Sequence, residues 1–297
     1  MNLNQLSPET VHSTETANIE HFNFQASDYD ERFSLSVDQS RARVKHIRQH
    51  SEREIRVGKA LDLGCGTGNL TAALVLEGAA ASCVGIDISS GMIEQARRKT
   101  ITISDVTFQV GSATALPFAD ESFDLCVGDA FLHHILDIDA CLKEVFRVLK
   151  PGGVATFNEP NGHGYALVEF ILRALATTKD WNDENLTNYL ECIGFLRENR
   201  GNLTVLGNNP LPDKHYFHFE QINSAALSAG FVKCSYVPAM GPSETTWNDA
   251  FRYLLDAIEP DPKITATVLK VAQLLDATVG DEVRKHFCLH NQFYIYK

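Results

Sequence analysis

The segment Leu61-Asp62-Leu63-Gly64-Cys65-Gly66-Thr67-Gly68 carries the densest chemical signal in the chain. Glycines clustered directly after an apolar run let a ligand come close to the backbone, because no Cβ stands in the way. The spacing is not that of a dinucleotide fingerprint. Counted from Gly64, the third glycine of GxGxxG falls at Asn69. Asp62 lies two residues before the loop, where a carboxylate would repel a pyrophosphate and favour a cation. Asp87 closes the next apolar stretch, where an acid can accept hydrogen bonds from both hydroxyls of a ribose. A ligand with a ribose, no phosphate and positive charge fits S-adenosylmethionine (SAM), which carries a sulfonium and an ammonium.

These groups need a strand-turn-helix frame, and the pattern supplies one. Lys59 to Leu63, Ala81 to Asp87, Val106 to Val110, Phe123 to Gly128 and Val154 to Phe157 read as short buried strands. Between them, Asn69 to Glu77, Ser89 to Lys99 and an amphipathic segment capped by Asp137 read as helices. The alternation predicts a Rossmann-like α/β fold: a mostly parallel, seven-stranded sheet with helices on both faces. Upstream, Val37 to Ile55 reads as a basic helix, and the polar stretch Met1 to Glu20 as a loose tail. After Glu159 the rhythm breaks into helices over Tyr165 to Thr177 and Asn185 to Glu198, with a turn-rich stretch over Gly201 to Asp213. It resumes with a helix over Phe219 to Ala229 and a strand over Phe231 to Val237. Helices over Thr246 to Ala257 and Lys263 to Thr278 precede a closing strand, Phe287 to Tyr296. The expected organisation is a tail and flap over 1–56, then one sheet domain over 57–297 with helical lid insertions at about 160–216 and 238–285.

The loop and the segments after it closely resemble the motifs of class I SAM-dependent methyltransferases. Leu61 to Gly68 resembles motif I, and Val84-Gly85-Ile86-Asp87-Ile88-Ser89 with Met92 resembles the segment after it. Ala115-Leu116-Pro117-Phe118, Leu132-His133-His134 and Leu149-Lys150-Pro151-Gly152-Gly153 follow in family order. The LPF and LHH signatures are shared with the small-molecule branch that includes the ubiquinone and menaquinone C-methyltransferases. The resemblance implies that Gly64, Cys65 and Gly66 form the loop that admits the methionine part and that Asp62 serves its amino group. It implies Asp87 on the ribose, Ile88 and Met92 against the adenine, and Ser112 and Ala113 at the adenine edge. Asp129, Ala130 and His134 complete the implied cofactor site. Ala26 and Tyr29 resemble an Ala-x-x-Tyr element that covers the cofactor in relatives. The family commonly carries Asp where this chain has Ser112, whose hydroxyl accepts without charge assistance.

Methyl transfer from a sulfonium is an in-line displacement, so the protein chiefly positions an acceptor and removes a proton where one must leave. His133, His134, Glu159, His163 and His215 are the candidate bases, with no order among them. His215-x-x-His218 has ligand spacing but no matching acidic cluster, and no metal is expected. The formal charge of −12, from 38 acidic against 26 basic residues, argues against a nucleic-acid partner. No apolar run reaches membrane length. The polar start and the seven cysteines without metal spacing fit a reducing, cytoplasmic setting. The expected function is methylation of an O, N or C atom of a small-molecule acceptor. Three alternatives remain open: a protein or RNA methyltransferase, a SAM-binding protein that does not methylate, and a nicotinamide enzyme.

Overall fold

The computed structural model describes residues 8–32, 36–179, 181–198, 215–239 and 246–297. The turn-rich reading of 201–213 lies outside them. Seven strands form one sheet: β1 (Val57–Leu63), β2 (Ala80–Asp87), β3 (Val106–Val110), β4 (Phe123–Asp129), β5 (Leu149–Pro160), β6 (Lys233–Pro238) and β7 (His290–Tyr296). Their order is β3-β2-β1-β4-β5-β7-β6. The first five are parallel, and β7 runs antiparallel between β5 and β6. Strand order reverses between β1 and β4, so their carboxyl ends open a crevice of the kind that binds ligands in such sheets.

The two faces follow from the period of two along each strand. Leu61 and Leu63 join Cys126, Phe157 and Phe293 beneath α6 (Ile138–Val148) and α9 (Phe219–Ala229). Ala60, Leu125, Val127 and Tyr294 pack on the other face with α3 (Val37–His50) and α4 (Asn69–Leu76). The helix α5 (Ser90–Lys99) follows β2, with the Ser89 side chain capping its start.

The remaining helices build a second core. α7 (Gly162–Lys179), α8 (Glu184–Glu198), α10 (Trp247–Ile258) and α11 (Pro262–Thr278) bury Leu172, Ile193, Phe251, Leu254 and Val268 against one another. Asn161 joins this core to the sheet. It is 1% exposed, donates through Nδ2 to the carbonyls of His286 (3.0 Å) and Cys288 (2.8 Å), and accepts the His163 N–H at 3.1 Å.

Several boundaries depart from the sequence reading, four of them with a clear physical cause or consequence. The first 20 residues are not all loose, because α1 runs over Pro8–Gln25. The helix α3 stops at His50 rather than Ile55: the chain turns there so that the Arg53 guanidinium reaches the carbonyls of Gly153 and Lys297 and Ile55 is buried. β5 starts five residues before Val154, with Leu149 opposite Phe123 and a register shift before Val154 meets Leu125. The last strand starts at His290, because α12 (Asp281–His286) precedes it and the carbonyls of His286 and Cys288 are taken by Asn161.

Asn161→Ala would leave the His286 carbonyl and the buried Cys288 carbonyl without this donor. Equilibrium denaturation of the variant is expected to show a loss of about 2 kcal/mol, with an unchanged dependence on denaturant. An unchanged midpoint would mean that the junction does not depend on this amide.

Candidate functional site

The loop after β1 turns sharply because three of its residues are left-handed: Gly64 (φ 62°), Gly66 (φ 51°) and Gly68 (φ 83°). A Cβ on Gly64 would stand 2.3 Å from the Phe131 ring. Gly66 faces open space instead, with Tyr29 Cε1 the nearest atom to such a Cβ at 3.9 Å. Asp87, at the end of β2, holds the loop. Its Oδ2 accepts the Gly66 N–H at 2.9 Å and its Oδ1 accepts the Ser89 N–H at 2.8 Å. Burial raises the Asp87 pKa, and these N–H groups oppose the shift.

Asp62 lies behind the loop rather than on the cavity wall. The strand period points it with Ala60 toward α4, where Thr71 donates a 2.6 Å hydrogen bond to its Oδ2. It is 1% exposed and does not line the cavity. Burial, then the nearby Asp129 and Asp87, push its pKa up to about 7. Cys65 also lies outside the cavity wall, packed with Ile93, Ala96 and Phe108. The other implied cofactor residues line one cavity: Tyr29, Gly64, Gly66, Asp87, Ile88, Met92, Ser112, Ala113, Asp129, Ala130 and His134. Ala26 is buried against Gly91 rather than facing this space.

The floor at β4 is built under constraint. Asp129 Oδ1 accepts from Arg43 of α3 at 2.8 Å and from Asn158 Nδ2 at 2.7 Å. Ala130 is left-handed (φ 53°), a conformation an L side chain adopts at a cost, and its N–H donates to the Asn158 carbonyl at 2.9 Å. A 3₁₀ turn, Leu132–His134, follows.

The five candidate bases separate. Glu159 is fully buried and accepts the N–H groups of Phe131, Leu132 and His133 at 3.1, 2.6 and 3.2 Å. His133 Nδ1 lies 2.7 Å from its Oε2. Both residues build the turn, and neither lines the cavity. His163 Nε2 sits 3.1 Å from His218 Nδ1, also off the cavity wall, so His215 and His218 point to different partners. His215 Nε2 meets the carbonyl of Ile135, a wall residue, from behind at 3.0 Å. Only His134 among the five lines the cavity. Its ring packs edge-to-face on Phe22, with centroids 5.2 Å apart.

The sequence reading missed a wall. Glu15, Asn18 and Phe22 lie on one face of α1 and line the cavity. Asn18 Nδ2 donates to the His134 carbonyl at 3.1 Å, and Asn23 Oδ1 accepts from Ser89 Oγ and the Gly91 N–H at 2.8 and 2.9 Å. The spacing 15, 18, 22 was the available signal, but the face is largely polar and carries no apolar stripe.

A family model described as a methyltransferase domain matches residues 57–214, just over half of the chain. The chain belongs to this family. It is 38% identical over 122 residues to the demethylmenaquinone methyltransferase of Staphylococcus aureus (strain MRSA252), covering 40% of this chain and 50% of that one. It is 39% identical over 122 residues to that of Mycobacterium sp. (strain JLS), covering 39% and 50%. The chain therefore spans about half the length of the curated relatives it matches. Among solved structures, Haemonchus contortus phosphoethanolamine N-methyltransferase 2 with S-adenosyl-L-methionine superposes with a TM-score of 0.55 at 17% identity, covering 93% of this chain and 57% of that one. The YcgJ protein of Bacillus subtilis gives 0.52 at 17%, covering 86% and 98%. These structural likenesses show the Rossmann-like α/β fold. No helix among the described residues is long and apolar enough to cross a membrane.

Asp62 makes the methyltransferase domain sensitive to pH. Its carboxyl rises from the ordinary 3.8 to about 7 on folding. The folded chain then holds this proton more tightly than the unfolded chain, so its contribution to stability is full below pH 4 and is lost as pH rises toward 7. Asp62→Asn removes the titration and keeps an oxygen for Thr71. Denaturation midpoints at pH 4, 5.5 and 7 should show the wild type losing ground to the variant as pH rises. Parallel curves would rule out a buried, titrating Asp62.

Proposed function

We propose that this chain transfers a methyl group from SAM to an oxygen, nitrogen or carbon atom of a small molecule. One observation carries the reading. The open backbone at Gly66 and the Asp87 carboxylate face a single cavity at the strand-order reversal. A ribose suits Asp87, and a cation suits a loop surrounded by Asp62, Asp87 and Asp129. A small acceptor is supported by α1, whose Glu15, Asn18 and Phe22 add a wall to the cavity beyond the sheet. It is also supported by relatives named for a small molecule, demethylmenaquinone.

Bound SAM would supply a methyl group on a sulfonium, already activated for displacement. The chain's own residues would do the rest. Gly64 and Gly66 admit the amino-acid portion, while Ile88 and Met92 offer apolar contact to the base. Phe131, Ile135 and Leu136 give the cavity an apolar side that excludes water from the acceptor. His134, on the cavity wall, would take a proton from the acceptor. The helical insertions would enclose the acceptor from outside, with His215 against the Ile135 carbonyl as their point of contact with the cavity wall.

Calorimetric titration with S-adenosylhomocysteine tests the cofactor. The wild type should bind, and Asp87→Ala should bind at least about tenfold more weakly, given the usual 1.5–3 kcal/mol of a charge-assisted hydrogen bond. A wild type that does not bind rejects SAM as the cofactor. Binding without release of S-adenosylhomocysteine across a panel of small hydroxyl, amine and quinone acceptors rejects the transfer. With a competent acceptor, His134→Asn is expected to lower kcat about 100-fold while S-adenosylhomocysteine affinity stays within a few-fold. An unchanged kcat would remove His134 as the base.

A further inference from the structure

The cavity holds a carboxylate that its own sheet does not provide. The loop after β3 presents hydroxyls, Ser112 and Thr114, and no acid. Glu15 comes to them from α1, far away in sequence. Its Oε1 accepts from Ser112 Oγ at 3.0 Å and from Thr114 Oγ1 at 3.4 Å. The two hydroxyls lie 2.8 Å from each other, and the Thr114 N–H donates to Ser112 Oγ. Glu15 Oε1 is thus the acceptor on which this hydroxyl pair converges, and its Oε2 has no hydrogen-bond donor among the described residues. An aspartate at position 112 would set two carboxylates against each other here. A serine at 112 and a glutamate at 15 are therefore compatible as a pair.

We infer that Glu15 reads the six-membered edge of the cofactor's purine and selects a 6-amino over a 6-oxo group. The inference rests on the SAM reading above. Asp87, Ile88, Met92 and Ala113 line the same cavity as Glu15, and Ala113 lies between the two hydroxyl residues that Glu15 holds. With its ribose on Asp87 and its base against these apolar residues, the cofactor would turn its exocyclic group toward Glu15. An ionised carboxylate only accepts hydrogen bonds, and an exocyclic amine only donates them, so the two match with charge assistance. A 6-oxo group is an acceptor and meets the carboxylate in repulsion. Glu15 supplies from a separate helix the charged acceptor that Ser112 lacks.

Titration calorimetry of the full chain with S-adenosylhomocysteine and with S-inosylhomocysteine, its 6-oxo analogue, tests this. The wild type should prefer the adenosyl ligand by about 10- to 100-fold, the usual range for a hydrogen bond to a charged group. Glu15→Gln can donate its amide N–H to the 6-oxo group. It should weaken adenosyl binding by about tenfold and leave inosyl binding unchanged or improved. Adding Ser112→Asp to Glu15→Gln returns a carboxylate to the same place and should restore the adenosyl preference. A role limited to seating α1 predicts that both ligands weaken equally and the preference survives. That result overturns the inference and leaves the SAM reading intact. A wild type that binds neither ligand overturns both.

Discussion

The site depends on one buried carboxylate. Glu159, at the end of β5, gathers three successive backbone N–H groups and the His133 ring. A carboxyl group without solvent is costly unless donors of this number surround it. Because they do, the chain after β4 is fixed in a 3₁₀ turn, and Phe131 is fixed with it. The Phe131 ring fills the space that a Cβ on Gly64 would need. One carboxylate on β5 thereby sets the shape of the loop on β1, two strands away, and places His134 on the cavity wall. The left-handed Ala130 sits at the start of this arrangement, its strain held by the hydrogen bond to Asn158.

A second constraint is charge. Asp62, Asp87 and Asp129 surround the glycine loop, and Asp62 is pushed up partly by the other two. Arg43 answers Asp129 from α3, so the basic helix that looked like a solvated face has one arginine turned inward, 7% exposed. Asp87 is partly answered by backbone N–H groups. The acidic surplus of the chain is ordinary at the surface, and near the loop it is met by one buried arginine and by backbone N–H groups.

Much of the sheet was legible because its signals are local. Glycines at a strand end, an acid at the next strand end and helical spacing after Asp137 lie within short windows, and all of them appear in the structure. Residue type misled where burial decides the role. Glu159 and His133 have the chemistry of bases, yet tertiary packing turns them toward each other and away from the cavity. Asp62 carries the charge expected beside a cationic ligand, but the strand period turns it under α4. Nothing in a one-chain reading distinguishes these outcomes, because each depends on a partner at least nine residues away. The helix α1 escaped for the opposite reason. It buries little apolar surface and is placed by side-chain amides and a carboxylate whose partners lie between 66 and 116 residues away.

That difference separates two kinds of wall. The floor at β1, β2 and β4 is set in two apolar cores and takes part in the strand ladder, so moving it would disrupt the whole domain. The roof is set by a few polar contacts from Glu15, Asn18 and Asn23, plus Phe22 against His134. Contacts of this kind are worth about 1 kcal/mol each once water has been displaced, so the roof is tied to the domain more by polar groups than the floor is. A nucleoside-sized ligand beneath it supplies new partners to the same side chains, Glu15 above all. The ligand would then tighten the cover that encloses it, and the rigid floor would keep the reacting end aligned.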